Sequence, residues 1–251
     1  LSPILLQMAV FSSIDATERA AGPTTLTVSG EIQLAGRAPV PIRSSYTSEG
    51  AVSLQASLAA AIPLSYILQG GFPELRVTGV KLHIDSTDGH RQLQIEDVTV
   101  SKREAHPGDL VELAAHLTGE NGREIIRKVD YRIPSGIAAG TLYFSVSDGP
   151  QTSMTELRTL YGSNPRSAEE LVRAVTLVHP TDRAYVRVWR GDPDFQIAGV
   201  DLPDPPPSIA MLLGANAGNA QVKNSKVADF ELSVPGWVIS GAKTVQVEVK
   251  H

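Results

Sequence analysis

Hydrophobic and polar residues alternate along most of the chain, which is the pattern of half-buried β-strands. Over residues 26–34, Leu26, Val28, Ile32 and Leu34 fall on one side of an extended backbone. Gly30 lies between them and predicts a β-bulge or a point where another backbone comes close. The same alternation occurs at residues 76–84, 93–101, 110–117, 125–133, 141–147, 184–190, 227–234 and 244–249. The pattern therefore predicts a mainly β protein.

Turn residues between these segments indicate how the strands pair. Asp88-Gly89 and Asn121-Gly122 each lie between two predicted strands. Such dipeptides favour tight hairpins because their residues tolerate positive φ angles. We therefore expect most neighbouring strands to pair antiparallel.

Helical periodicity is confined to a few segments. It predicts one helix over residues 51–69, which Pro63 should kink or divide, and a second over residues 167–178. Ser167 can cap the second helix by accepting from the Glu170 amide while the Glu170 carboxylate reaches back to Ser167. A third, shorter helix is expected over residues 153–160.

Together these elements predict an α+β protein in three units. Residues 93–149 hold four strands separated by closely spaced turns, a density typical of an Ig-like β-sandwich. Residues 1–92 then form a β unit with an inserted helix, and residues 150–251 form an α+β unit that contains the Pro-rich crossing 202–208. The expected architecture is antiparallel sheets with the sandwich in the middle and two or three helices packed on the flanking units.

Composition narrows the classes of function. A formal net charge of −5 over 251 residues gives no general reason to expect nucleic acid or an anionic membrane as partner. The absence of cysteine excludes disulfides, Cys-ligated zinc and thiol nucleophiles. The longest apolar run, residues 56–68, is interrupted by polar residues and is shorter than the about 20 residues that a membrane span needs, so no span is expected. We interpret Leu1 as a cut point, left by export processing or by excision from a longer protein.

Motifs for catalysis or metal binding are missing from the sequence. Nucleophile elbows, His-Glu-x-x-His and phosphate-binding Gly loops do not occur. Ser240-Gly241-Ala242-Lys243 satisfies Ser-x-x-Lys, but the flanking strands and Gly241 favour a hairpin over a serine–lysine dyad. The six histidines never form a close pair, and the acidic pairs Asp85/Asp88 and Asp192/Asp194 fit hairpin tips better than weak calcium sites. No catalytic residue, metal or cofactor is predicted.

The most suggestive surface is formed by Tyr185, Arg187 and Trp189, which alternate with small apolar residues and so share one face of a strand. Aromatic rings interleaved with a guanidinium group can stack on a sugar or hold a peptide. The alternative is that a helix covers this face, with residues 167–178 as the first candidate, and that the rings belong to a core.

Several short segments resemble a known family. They are residues 2–6, 12–19, 22–32, the turn His106-Pro107-Gly108-Asp109 and the strand end Ile133-Pro134. They are similar to the region after the catalytic domain in large secreted bacterial proteins that carry a SpoIVB-type (family S55) serine peptidase domain. The resemblance extends over the first two units and more loosely over the third.

The resemblance implies a role without catalysis. That family's peptidase domain is recognised by a Gly-His segment, which supplies the base, and by a Ser-Gly-Ser-Pro segment, which supplies the nucleophile. The second is absent, and the only Gly-His pair, Gly89-His90, lies at a predicted turn, so no functional residue carries over. The implied function is an exported, secreted or periplasmic accessory region whose partner is the peptidase domain of the same polypeptide. The alternative is an extracellular glycan- or peptide-binding module that uses Tyr185, Arg187 and Trp189.

Overall fold

A computed structural model describes residues 2–17, 22–48, 52–160, 165, 167–197, 200–202 and 220–250. Within these residues the helices are α1 (Pro3–Thr17), α2 (Val52–Gln69), α3 (Gly149–Leu160) and α4 (Ala168–Thr176). The strands are β1 (Thr24–Leu34), β2 (Val40–Ser48), β3 (Val77–Asp88), β4 (Gln92–Val100), β5 (Glu104–Ala105), β6 (Leu110–Gly119), β7 (Glu124–Arg132), β8 (Gly140–Asp148), β9 (Arg183–Ile197), β10 (Val200–Leu202), β11 (Ala220–Ser233), β12 (Val238–Ser240) and β13 (Ala242–Val249). With about 50% strand and 26% helix, the protein belongs to the predicted mainly β, α+β class.

A three-stranded antiparallel sheet in the order β2–β1–β3 carries helices on one face. Helix α2 lies against β1 and β2, α1 packs on α2, and α4 contacts α2 and β2. We call this part the helical layer. Its core combines one face of β1 with the buried sides of the three helices; the buried residues include Leu26, Val28, Ile32, Val10, Ile14, Ala56, Leu64, Ile67, Leu171 and Val175.

Gly30 is the point in β1 where two backbones come close, as its lack of a side chain predicts. Its φ angle is +155°, and a Cβ atom there would lie 2.0 Å from the backbone oxygen of Lys81 on β3. Only glycine is compatible with that distance. The irregularity of the β1–β3 register lies further along the strand, between Gln33 and Leu34.

The remaining strands form two sheets that enclose a second core. One sheet has the order β12–β4–β6–β7, and the other has the order β10–β9–β8–β13–β5, with β11 paired to β9. Alternation turns one side of each strand inward. The shared core includes Leu93, Ile95, Val111, Leu113, Leu117, Leu142, Phe144, Val146, Val186, Val188, Ile239 and Val247. We call these two sheets the sandwich.

Strands from both sides of residue 150 lie in the same sheets. Within residues 93–149, β4, β6 and β7 belong to one sheet, and β8 and the short β5 belong to the other. The partners of β8 are β9 and β13, and β12 pairs in parallel with β4. Residues 93–149 therefore supply only part of each sheet, and the strands after residue 150 complete both. Helix α4, also from residues 150–251, packs in the core of the helical layer instead.

Two of the three predicted hairpins are wrong. The Asn121-Gly122 hairpin is confirmed, since a 3-10 turn at Glu120–Gly122 joins the antiparallel pair β6 and β7. At Asp88-Gly89 the chain instead passes from the helical layer into the sandwich, because β3 pairs with β1 while β4 pairs with β6. At Gly241 it crosses from one sheet of the sandwich to the other, since β12 pairs with β4 and β13 with β8. Positive φ angles occur at all three glycines, so turns form at all three as predicted, but the predicted strand partners are wrong at Gly89 and Gly241.

The predicted helices all form, and one helix was missed. The Glu170 amide donates to Ser167 Oγ at 3.2 Å, which confirms the cap of α4. Pro63 lies inside α2 and does not divide it. By length and composition α2 is the one described helix that could cross a membrane, and 39% of it is buried against the rest of the protein. Helix α1 was not predicted.

Residues Thr181 and Asp182 connect the three sheets. The Thr181 hydroxyl accepts from the Ser45 amide at 2.7 Å and donates to the Ser45 carbonyl at 2.6 Å, which ties it to β2. The Ile239 amide of β12 donates to the Thr181 carbonyl at 2.8 Å, and the Val234 amide, just after β11, donates to the Asp182 carbonyl. The helical layer and both sheets of the sandwich therefore meet at two consecutive residues.

Candidate functional site

The three candidate residues lie on the outer face of the sheet that contains β8, β9 and β13. Between them along β9, Ala184, Val186 and Val188 are buried in the sandwich core. Alternation therefore directs Tyr185, Arg187 and Trp189 away from that core. Their surroundings differ, and each is described in turn.

Tyr185 is buried, with 7% of its surface exposed. Its hydroxyl donates to the Pro180 carbonyl at 3.3 Å, and its ring packs against His179 with 4.4 Å between ring centroids. Burial raises the pKa of the phenol, and the nearby Glu231 carboxylate adds to the effect. Tyr185 is therefore a neutral packing residue whose ring is not available to a ligand.

Arg187 is held between two carboxylates. Its Nη2 donates to Glu156 Oε1 from α3, and its Nε lies 3.3 Å from Asp229 Oδ1 of β11. Glu156 Oε2 also lies 2.9 Å from His179 Nε2, so one carboxylate joins β9 to the segment that leads into it. The helix that meets this face is α3, and the expectation that residues 167–178 cover it is wrong, because α4 packs on α2 and β2.

Trp189 is half-buried and stacks on Tyr143. The two residues are directly opposite each other in the β8–β9 register, with 4.2 Å between ring centroids and 13° between ring planes. The indole N–H donates to Ser145 Oγ at 2.9 Å, and Ser145 Oγ also lies 2.8 Å from Thr244 Oγ1 of β13. We call Tyr143 and Trp189 the aromatic pair.

Tyr143 was missed because its role depends on strand register. Alternation over residues 141–147 already places it on the side opposite Leu142 and Phe144. Its pairing with Trp189, however, follows only once β8 and β9 are known to be neighbours in this register.

Among the described residues, a histidine ring and a side-chain hydroxyl lie within hydrogen-bond distance at one place on the surface. Thr99 Oγ1 and His116 Nε2 lie 3.3 Å apart on exposed strand positions, next to a shallow depression lined by residues such as Asp97 and Glu124. Within the described part of the chain, no carboxylate hydrogen-bonds to the other nitrogen of His116. A catalytic triad needs that third group to orient the base.

The other candidate positions have structural partners. Ser240 Oγ accepts from Gln92 Nε2 at 3.0 Å, in place of any contact with Lys243. Asp85 lies 3.1 Å from His83, and the side chains of Asp192 and Asp194 are outside the described residues. Across the positions that the structure describes, no three His, Asp or Glu side chains are grouped so as to hold a metal ion.

Comparisons of the chain with protein-family profiles, with curated proteins and with solved structures find no match. The fold alone therefore defines its class, a mainly β, α+β protein. Among the described residues, a polar network lies on the outer face of the sandwich, where Glu156 contacts both Arg187 and His179 and Arg187 also pairs with Asp229.

This network predicts the effect of replacing Glu156. Glu156→Gln removes the negative charge that faces both Arg187 and His179, whose side chains are largely buried. Hydrogen bonds to charged groups contribute about 1.5–3 kcal/mol each, and we expect the free energy of unfolding to fall by about 1–3 kcal/mol. Urea denaturation measures the change.

The matched control is Glu74→Gln, which changes an exposed carboxylate in the connection before β3. Its free energy of unfolding should stay within about 0.5 kcal/mol of that of the parent protein. Equal stability of the two variants would show that the Glu156 contacts contribute nothing.

Proposed function

We propose that the chain is a non-catalytic accessory region, with an Ig-like sandwich, of a secreted or periplasmic bacterial protein of the SpoIVB-type (family S55). In this proposal it scaffolds or positions the peptidase domain of the same polypeptide. The observation that carries it is that the least exposed carboxylates among the described residues have structural partners. Asp182 pairs with Arg43, Glu156 pairs with Arg187, and Asp148 accepts from the Gly241 amide, and these groups do not converge on an open cleft.

The segments that carry the resemblance support a structural role. The turn His106-Pro107-Gly108-Asp109 and the strand end Ile133-Pro134 are hydrogen-bonded to each other: the Gly108 amide donates to the Ile133 carbonyl, and the Ile133 amide to the Asp109 carbonyl, both at 2.9 Å. The Asp109 carboxylate accepts from the His106 amide and from Lys102, and these bonds lower its pKa. Backbone hydrogen bonds thus join the two motifs where β6 begins and β7 ends.

The proposal predicts a specific partner and no turnover. The reading frame that encodes residue 1 should encode a SpoIVB-type peptidase domain upstream, and that domain, expressed separately, should bind the chain in isothermal titration calorimetry. The chain alone should cleave neither casein nor ester substrates above a buffer blank. An upstream frame without such a domain, or turnover that His116→Ala abolishes, would contradict the proposal.

A second candidate function is glycan binding at the aromatic pair. Two stacked, half-buried rings lie beside the hydroxyls of Ser145 and Thr244 on an outer sheet face. Aromatic rings offer a large apolar surface of low conformational entropy, on which the C–H face of a sugar ring can pack while hydroxyls bond its edge. Tyr185 and Arg187 would not take part, since the first is buried and the second is held by two carboxylates.

Glycan binding predicts that Tyr143→Leu weakens affinity at least about tenfold, which corresponds to about 1.4 kcal/mol. A glycan array identifies the oligosaccharide, and quenching of tryptophan fluorescence measures its affinity. Tyr66→Leu is the control, because it removes an exposed tyrosine from α2, in the helical layer. A chain that binds no glycan on the array, or variants of equal affinity, would reject the candidate.

A further inference from the structure

Helix α1 exposes large apolar side chains along one side. Ile4, Met8 and Phe11 follow the spacing that places residues on one stripe of a helix, and Leu5 lies next to them. Ile4, Leu5 and Met8 are between 61% and 68% exposed. Only Val10 and Ile14 are buried among the α1 residues whose side chains are described. Val10, Ile14 and the partly buried Leu6 therefore anchor a fifteen-residue helix in the core of the helical layer.

Helix α2, on which α1 packs, carries a second apolar stripe. Leu54, Leu58, Ile62 and Tyr66 recur at every fourth position, on the side away from the buried residues Ala60 and Leu64. Leu54, Ile62 and Tyr66 are exposed. We call the exposed large apolar residues of these two stripes, together with Leu5, the apolar face.

The charge of the two helices restricts what can cover this face. Helix α2 contains no charged residue, and the only one in α1 is Asp15. Helices that lie on membranes carry lysine and arginine along their polar side, which attract anionic lipid headgroups. Neither helix has one. The face is apolar apart from Asp15, which ends the α1 stripe of Ile4, Met8 and Phe11, and a second copy of the chain supplies a matching apolar surface.

The size of the apolar face fits such a pairing. Seven large side chains, each exposed by between 39% and 68%, offer on the order of 800 Å² if a fully exposed large side chain has roughly 200 Å². A stable interface buries about 800 Å² on each partner, whereas the largest apolar patch of a typical monomer is about 300–600 Å². The face is therefore large for a monomer and sufficient for a dimer.

We propose that the chain forms a twofold-symmetric homodimer in which the apolar faces of two copies pack together as a layer of four helices. A twofold axis makes the same patch meet itself, so one face on each copy is sufficient. The second copy would also cover α1, which contacts little besides α2 within its own chain. This inference is independent of the proposed accessory function.

Sedimentation velocity on the whole chain tests the proposal. At about 10–100 μM, within the range of specific but moderate affinities, the parent protein should sediment at twice its 26.7 kDa mass. Met8→Glu and Ile62→Glu place a carboxylate in the interface and should raise the dimer Kd at least tenfold, with an unchanged far-UV circular dichroism spectrum. Ile126→Glu is the matched control, because Ile126 is 47% exposed on β7, in the sandwich, and this variant should remain dimeric.

A cysteine variant keeps the test decisive if a glutamate variant fails to fold. Because the sequence has no cysteine, Met8→Cys introduces a single thiol on the apolar face, and a flexible bis-maleimide reagent should cross-link it to its copy. Leu110→Cys, exposed in the sandwich, should not cross-link. A parent chain that is monomeric throughout this range, or Met8→Cys and Leu110→Cys that cross-link equally, would overturn the proposal. Binding of a monomeric chain to neutral phosphatidylcholine vesicles would assign the face to lipid instead.

Discussion

The Asp182 carboxylate is buried where the helical layer meets the sandwich, and the arrangement of the sheets depends on its partners. Its side chain is 6% exposed, and Arg43 Nη2 from β2 lies 2.9 Å from its Oδ2. A buried carboxylate costs several kcal/mol unless a partner compensates it. Arg43 reaches it only if β2 stays next to the start of β9. The ion pair and the backbone bonds of Thr181 therefore set how the two parts of the protein sit against each other.

We call the Arg43–Asp182 pair and the bonds of Thr181 the joint between the helical layer and the sandwich. The segment that contains Thr181 and Asp182 also links this joint to the candidate site. Residues 179–185 run from the end of the helical layer into β9, and they contain His179, Asp182 and Tyr185. His179 contacts both Glu156 and the Tyr185 ring, while Arg183 pairs with Glu231 of β11. The ionic groups of the candidate site thus continue the network that orients the sheets.

Most helices and strands could be predicted from local sequence patterns, whereas the pairing of strands that are distant in sequence could not. Alternation is a property of a single strand, so β1 was recognised from Leu26 to Leu34 without knowledge of its neighbours. Strand β2 was missed because Pro41 and its run of serines give little alternation, and its pairing with β1 decides its structure. Helix α1 was missed because its polar residues Gln7, Ser12, Ser13 and Asp15 are spread around the helix and leave no single polar side in the sequence pattern. Gly89 and Gly241 predicted turns correctly, but a turn residue does not specify which sheet the next strand joins.

Unfolding of Arg43→Ala, followed by two probes, tests the role of this joint most directly. Both tryptophans, Trp189 and Trp237, report on the sandwich by fluorescence, whereas circular dichroism at the helical minimum reports chiefly on the helical layer, which holds three of the four described helices. We expect the two urea transitions to coincide in the parent protein. In Arg43→Ala the helices should unfold at lower urea concentration than the sandwich, with a loss of about 2–3 kcal/mol in their free energy of unfolding. Arg37→Ala, an exposed site between β1 and β2, should change neither probe. Coincident and unshifted transitions in Arg43→Ala would contradict the central claim.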